Sequence, residues 1–200
     1  MLEALFGHLV GVNRWLNLTR IAGARDYLKL HVLDSLTLTR DARLARLAAG
    51  TPCVDLGSGG GYPGLPLARW RPQAPWVLAD ARRKKAEFLA AAATLLGVPA
   101  VRGRHLRGGR TQQEAPELFR QCQLVVSRAM GPGAEVLAEA EPLLRRHGHL
   151  LLAKGPAFAG EERTATLATA ERLRFRLVHE HRVQLDAGDP ERVIIAFERL

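Results

Sequence analysis

Asp55-Leu56-Gly57-Ser58-Gly59-Gly60-Gly61-Tyr62-Pro63-Gly64 is the stretch whose reading decides the fold of this 200-residue chain. It follows a short apolar run, Cys53-Val54-Asp55-Leu56, and precedes a helical pattern that starts near Leu65 and stops before Arg71-Pro72. A chain passing from strand to helix through so many glycines must turn sharply and let a ligand touch its backbone, because glycine lacks a Cβ and tolerates positive φ. Backbone N–H groups in such a turn point at a ligand's polar groups. Strand, glycine loop and helix in that order predict a ligand-binding βα unit.

On the N-terminal side, Leu2, Leu5, Phe6, Leu9, Val12 and Leu16 recur at helical spacing. Further helices are predicted from about Arg25 to Leu38 and from Asp41 to Ala49, ending before Gly50. On the C-terminal side strands and helices alternate. Strands are predicted at Pro75–Asp80, Val98–Val101, Gln123–Ser127 and Leu150–Ala153, and helices at Arg82–Leu96 (closed by Gly97), Ala134–Leu144 and Glu161–Leu173. Arg102–Glu117 reads as a loop with little structure, and Phe175–Leu185 and Val193–Arg199 as two strands joined through Asp186–Pro190. Strands separated by helices imply a parallel sheet, and two final strands without a helix imply an antiparallel hairpin at one edge. The expectation is an α/β, Rossmann-like fold: a mostly parallel seven-stranded sheet with an antiparallel edge hairpin, the architecture of the class I S-adenosylmethionine-dependent methyltransferases. Residues 1–50 form an N-terminal helical cap and 51–200 the methyltransferase domain, as one structural unit.

Composition narrows the class. At 47% hydrophobic and 24% charged residues, the chain reads as an ordinary soluble domain. No run approaches the ~18 consecutive apolar residues of a membrane span, and Met1–Asn13 has no signal-peptide pattern. Cys53 and Cys122 fall in strand-like apolar segments with no zinc spacing, which suits buried reduced thiols in a cytoplasmic protein without a metal; a monomer is expected. Lys and Arg outnumber Asp and Glu by 29 to 20, a formal charge of +9. Such a field attracts polyanions, of which nucleic acid is the commonest; a solvated arginine-rich surface is the plainer alternative.

The glycine loop fits two patterns. Gly59, Gly61 and Gly64 match the dinucleotide fingerprint G-x-G-x-x-G, a weak signal alone. Asp55, Gly57, Gly59 and Gly61 match D-x-G-x-G-x-G, the first motif of the methyltransferases. A carboxylate at the end of that strand would repel a pyrophosphate but favour a sulfonium and an ammonium. Asp80 ends the second strand, where its carboxylate can accept both hydroxyls of a ribose or cap the helix near Arg82. Arg82, Arg83, Lys84 and Lys85 follow at once, and Arg102, Arg104, Arg107 and Arg110 lie beyond the third strand. Both clusters fall on the ligand side of a parallel sheet, as a phosphate-binding edge or as a solvated face.

Together, Asn17-Leu18-Thr19, His31-Val32-Leu33-Asp34-Ser35-Leu36, the Asp55–Pro66 loop, Asp80 with Lys84-Lys85 and Phe88-Leu89, Ser127-Arg128-Ala129 and Lys154-Gly155 resemble the RsmG family (glucose-inhibited division protein B), from about residue 3 to 198. The resemblance implies methylation of N7 of one guanine in a decoding-region loop of 16S rRNA, with S-adenosylmethionine as donor and free rRNA or an assembling small subunit as partner. It implies that Gly57 and Tyr62 line the cofactor site, Asp80 faces the ribose, His105 and Leu106 flank the adenine, Arg128 reaches the cofactor or the target, and Lys154 stands on the same rim. Leu106 stands where the family usually has an acidic residue, and members typically carry a helical stretch ahead of the first helix here.

Guanine N7 carries an in-plane lone pair, so no proton must leave before it attacks a methyl group. Catalysis is then positioning rather than acid–base work, in keeping with a sequence that shows no Ser/His/Asp set or paired carboxylates. The methylated ring is cationic and would gain from a nearby carboxylate, Asp34 or Asp55. Asp34 also shares a helix face with His31, and Arg128 ends an apolar strand at the ligand edge. Asp34 and Arg128 are therefore the candidate catalytic residues, Asp55, Gly57, Gly59, Gly61, Tyr62, Asp80, His105, Leu106 and Arg128 the candidate cofactor residues, and Arg82, Arg83, Lys84, Lys85 and Lys154 the candidate RNA contacts. An NAD-dependent oxidoreductase and a non-catalytic rRNA-binding protein of the same fold are the competing readings.

Overall fold

The computed structural model describes residues 1–21 and 23–200. Its strands are β1 Cys53–Leu56, β2 Trp76–Asp80, β3 Val101–His105, β4 Cys122–Arg128, β5 Leu144–Lys154, β6 Phe175–Val183 and β7 Arg192–Arg199. Its longer helices are α1 Leu2–Leu16, α2 Gly64–Trp70, α3 Arg83–Leu96, α4 Gly133–Ala140 and α5 Gly160–Arg172. The strands form one sheet in the order β3-β2-β1-β4-β5-β7-β6. All neighbours pair parallel except β7, which runs antiparallel between β5 and β6. From β1 the chain travels outward to β3, then returns to place β4 on the other side of β1. The loops after β1 and β4 therefore diverge, and a crevice opens between them, where open α/β sheets bind ligands.

The strand period of two sends alternate side chains to opposite faces. One face collects Cys53, Trp76, Leu78, Leu124, Val126 and Ile194, covered by Leu5, Leu9, Tyr27, Leu38 and Leu44 from the N-terminal segment and by residues of α2 and α3. The other collects Val54, Val77, Val125, Leu150, Ile195 and Phe197, covered by Val136, Leu137 and Ala140 of α4 and Ala170 of α5. At the sheet edge, Gly103 lets β3 approach α3 closely: a Cβ there would lie 2.2 Å from the Ala90 amide nitrogen. Both cysteines are buried free thiols.

Several elements differ from their sequence expectation. The third strand is Val101–His105 rather than Val98–Val101, and 105–118 holds short helical turns, including Thr111–Glu114, rather than a featureless loop. Charged side chains at Arg102 and Arg104 suit an edge strand with one open side, and they hide its apolar signal. Helix α4 stops at Ala140 instead of Leu144 because Pro142 has no N–H to continue it. β5 then starts at Leu144 instead of Leu150. The helix expected over Asp41–Ala49 covers only Ala42–Ala45; beyond it, the Gln123 side-chain amide donates to the Arg46 carbonyl and accepts from the Ala48 amide, in place of helical partners. The helix expected over Arg25–Leu38 is composite, with a π-helical stretch at Tyr27–Leu33 and a 3-10 turn at Thr37–Arg40. Such π segments often mark functional positions.

Candidate active site

Asp55 lies at the end of β1, fully buried. Its Oδ2 accepts the Ser58 hydroxyl at 2.6 Å and the Gly64 amide at 2.7 Å, so one carboxylate oxygen ties the start of the glycine loop to the first turn of α2. Its Oδ1 is buried with no hydrogen-bond partner among the described residues. Burial pushes the Asp55 carboxyl up to about 6 against the pull of the Ser58 and Gly64 bonds. Between Asp55 and Gly64 the loop glycines Gly57, Gly59 and Gly61 all take positive φ. At Gly57 a side chain would be strained by the positive φ and would also displace Met130, since a Cβ there would lie 2.5 Å from Met130 Cγ.

Asp80 closes the loop from the β2 side. Its Oδ2 accepts the Gly59 amide at 3.2 Å and its Oδ1 the Arg82 amide at 2.8 Å. Each oxygen keeps further acceptor capacity. Outside the loop lies a cavity of about 590 Å³, within the usual range for a small-molecule site. Of the sequence-predicted residues, Gly57, Gly59, Tyr62, Asp80, Leu106, Arg128, Arg82 and Lys85 line it. Leu106, 1% exposed, gives an apolar wall where a carboxylate was the family expectation, and its amide donates to the Asp80 carbonyl at 3.1 Å. Asp55, buried beneath the loop, Gly61 within it and His105 do not line the cavity, and the exposed His105 ring lies against the Ala81 carbonyl at 3.1 Å. Arg82, Arg83 and Lys84 are exposed and Lys85 half-buried, and none of the four forms an ion pair among the described residues. Of the second cluster, Arg107 lines the cavity, while Arg104 pairs with Glu117. Lys154 is drawn inward: its ammonium contacts the Gly131 carbonyl and pairs with Glu162 at 2.8 Å, which braces the loop after β4.

Arg128 leaves the end of β4 and joins the two halves of the site. Its guanidinium donates to Asp34 Oδ2 at 2.6 Å, to the Leu30 carbonyl at 3.0 Å and to His31 Nδ1 at 3.1 Å. Arg192 of β7 donates to the other Asp34 oxygen at 2.8 Å. Asp34 is thus buried between two guanidinium groups and does not line the cavity; the carboxylates that do are Asp80 and Glu139. His31 does line it, with its ring stacked on Tyr62 at 4.5 Å, and the Tyr62 hydroxyl donates to that of Tyr27 at 2.7 Å. A guanidinium can only donate, so His31 Nδ1 carries a lone pair and the proton sits on Nε2. Nε2 then donates to the Thr19 hydroxyl, 2.8 Å away. Burial, with the Arg128 charge in support, lowers the His31 pKa to about 4. Asn13 folds the preceding turn by accepting the Leu18 and Thr19 amides at 2.7 and 2.9 Å, which brings Leu18 to the cavity wall.

The sequence reading did not single out His31, Met130 or Glu139 as cavity residues. The H-x-x-D spacing offered a signal for His31, but its partner Arg128 lies 97 positions away. Elsewhere, Asp41, His179 and His181 bring ligand-type atoms within 4.8 Å of one another. Both Asp41 oxygens already accept from the Arg43 guanidinium, at 3.1 and 2.9 Å. That leaves a carboxylate–guanidinium pair beside two imidazoles, a poor setting for a cation.

A mostly parallel seven-stranded sheet with an antiparallel β7, a glycine loop anchored by an acidic residue and a second carboxylate at the end of β2 define a class I S-adenosylmethionine-dependent methyltransferase fold. A geranyl diphosphate methyltransferase solved in complex with S-adenosylmethionine superposes with a TM-score of 0.63 over 86% of both chains, at 16% identity. An rRNA methylase from Streptococcus thermophilus superposes with a TM-score of 0.58 over 83% of this chain and 96% of that one, at 12% identity. Within that class, the chain matches the family described as "GidB: rRNA small subunit methyltransferase G" over residues 1–185, and it belongs to that family. The Ribosomal RNA small subunit methyltransferase G of Sorangium cellulosum is 40% identical over 148 residues, 74% of this chain and 60% of that protein's length. The protein of the same name from Myxococcus xanthus is 31% identical over 198 residues, 99% of this chain and 87% of that one.

Proposed function

We propose that this chain transfers the methyl group of S-adenosylmethionine to N7 of a guanine in 16S rRNA, in the cytoplasm. The observation that carries the reading is the Asp55 carboxylate seated on the Gly64 amide. A dinucleotide fold leaves its helix N-terminus open for pyrophosphate; here that position is filled by a buried carboxylate, with Asp80 across the loop. Such a loop repels a diphosphate and suits a nucleoside that carries a sulfonium and an ammonium. Asp80 faces the cavity with acceptor capacity for ribose hydroxyls, and Leu106 provides an apolar wall for a purine.

The bound donor supplies an electrophilic methyl group on a positive sulfur. The protein's part is to orient the guanine and exclude water. His31 has no free lone pair to take a proton, since Nδ1 accepts from Arg128 and Nε2 is the protonated nitrogen. Such a site suits an acceptor whose lone pair is already available. Arg128, held by Asp34 and His31, is fixed at the cavity wall as a cation and donor able to bind a guanine carbonyl or a phosphate. Asp34 acts as its positioning residue. Arg82, Arg83, Lys84 and Lys85 supply unpaired positive charge, among the described residues, for the rRNA backbone.

Calorimetry with S-adenosylhomocysteine and with NAD, followed by incubation of the protein with S-adenosylmethionine and either 16S rRNA or small subunits, tests the reading. Binding of S-adenosylhomocysteine alone, and one new N7-methylguanosine in the rRNA, are expected. Saturable NAD binding, or rRNA without a new N7-methylguanosine on either substrate, would overturn it.

A further inference from the structure

Trp15 is the most exposed large apolar side chain described, at 62%. It lies seven residues after His8 on α1, and residues seven apart project from nearly the same face of a helix. That face meets α3: the His8 ring stacks on Phe88, centroids 4.5 Å apart and planes 6° apart, and His8 Nε2 lies 3.3 Å from the Phe88 carbonyl. The two helices run in opposite directions, because Leu2 and Leu5 at the start of α1 share a groove with Leu96 at the end of α3. Seven residues toward the C-terminus of α1 advance about 10 Å along the axis, and four to six residues back along α3 cover about 6–9 Å. Trp15 therefore reaches the level of the first turn of α3, where Arg82, Arg83 and Lys84 stand exposed and without ion pairs among the described residues. Both helix ends border the cavity, through Leu18 just beyond α1 and through Arg82 and Lys85 at α3.

The geometry points to a base-stacking platform: we propose that a single-stranded rRNA nucleotide next to the target guanine lays its base on the Trp15 indole while Arg82, Arg83 and Lys84 hold its phosphates. This inference rests on the proposed reaction and adds to it a residue that touches the substrate outside the cavity. An indole offered to water beside unpaired cations matches the two demands of a single strand, a π-face for the base and positive charge for the backbone. A base pair inside a duplex cannot use such a platform, so the preference is for an unpaired loop. α1 does not need the indole for its own packing, since the helix is held by the buried Leu5 and Leu9.

The test compares wild type, Trp15→Ala and Trp15→Phe for binding of a fluorescein-labelled single-stranded RNA hexamer and a duplex of the same length, alongside methylation of 16S rRNA. Stacking on an aromatic side chain changes affinity roughly five- to hundredfold per base. Trp15→Ala is expected to weaken hexamer binding at least about fivefold and to raise KM for rRNA, while Trp15→Phe stays close to wild type. Duplex binding, S-adenosylhomocysteine affinity and Tm should be unchanged in both. Equal hexamer affinity in wild type and Trp15→Ala overturns the platform, as does a loss that appears equally for duplex or comes with a lowered Tm. Absence of methylation by wild type would instead count against the proposed reaction, and the binding comparison would still decide the role of Trp15.

Discussion

The Arg128 guanidinium sits 2.6 Å from Asp34 Oδ2, with Arg192 on the other oxygen of the same carboxylate. One buried acid on a helical turn of the N-terminal segment thus sets the direction of the arginine at the end of β4 and ties it to β7. Replacing it as Asp34→Asn leaves two guanidinium groups facing each other without a counter-charge. Removal of one partner from a buried pair costs about 3–5 kcal/mol, and the lower end applies here because Arg192 can reach water. The expected loss in urea unfolding is about 3 kcal/mol. Single-turnover methylation should fall at least about tenfold even where the variant is folded, as Arg128 loses its orientation. A folded Asp34→Asn enzyme with wild-type rate would remove the positioning role.

Asp55 gives a prediction with opposite signs for stability and binding. Its folded pKa, about 6, lies above the ordinary carboxylate value. The native state therefore binds a proton more readily than the unfolded chain between about pH 4 and 6, and the charged form counts against stability above that window. Asparagine keeps an oxygen for Ser58 and Gly64 and carries no charge. Asp55→Asn should match wild type near pH 4 and exceed it by roughly 3 kcal/mol at pH 7. The same variant should bind S-adenosylhomocysteine more weakly at pH 7, because the carboxylate that favours the ligand's ammonium is gone. Urea titrations at the two pH values and calorimetry at pH 7 measure both; a variant that is less stable at pH 7 would show that the charge is not a burden on the fold.

His31 moves the other way. Its pKa is lowered to about 4, so the folded protein holds it neutral while the unfolded chain protonates it near 6.5. The stability it contributes is complete above pH 6.5 and is lost as pH falls toward 4, by about 2–3 kcal/mol over that window. His31→Gln should flatten this part of the stability curve. In the wild-type enzyme, the methylation rate should show no titration between pH 6 and 8 from this ring, whose Nδ1 is occupied by Arg128. A rate step near pH 6.5 that disappears in His31→Gln would instead make the imidazole a proton acceptor.

How much of this was readable from the chain depends on whether the signal was local. The strand–glycine–helix unit was legible because Cys53–Leu56 is continuously apolar and glycines are forced where φ is positive and Met130 presses on Gly57. The antiparallel ending was legible because no helical pattern separates the last two strands. The start of β3 was misplaced because an edge strand carries Arg102, Arg104 and His105 on its open sides. The Asp34–Arg128–Arg192 arrangement was beyond reach: its members are 94 and 158 positions apart, and only the fold brings them together. Lys154 reads as a rim cation in the sequence, yet its proximity to Glu162 turns it inward as a brace.

The exposed cations at the start of α3 lead to the last prediction. Arg82, Arg83 and Lys84 oppose the helix dipole and make no ion pairs among the described residues, an arrangement that destabilises α3 slightly and is offset when phosphates approach. Changing Arg83 and Lys84 together to glutamine should leave S-adenosylhomocysteine affinity unchanged, since neither lines the cavity. Tm should stay level or rise, because two charges at the positive end of a helix are removed. KM for rRNA should rise, and the slope of log KM against log salt should shrink by about 0.7 for each single-strand phosphate that the protein no longer neutralises. An unaltered salt slope in the double variant would place the RNA backbone elsewhere on the protein.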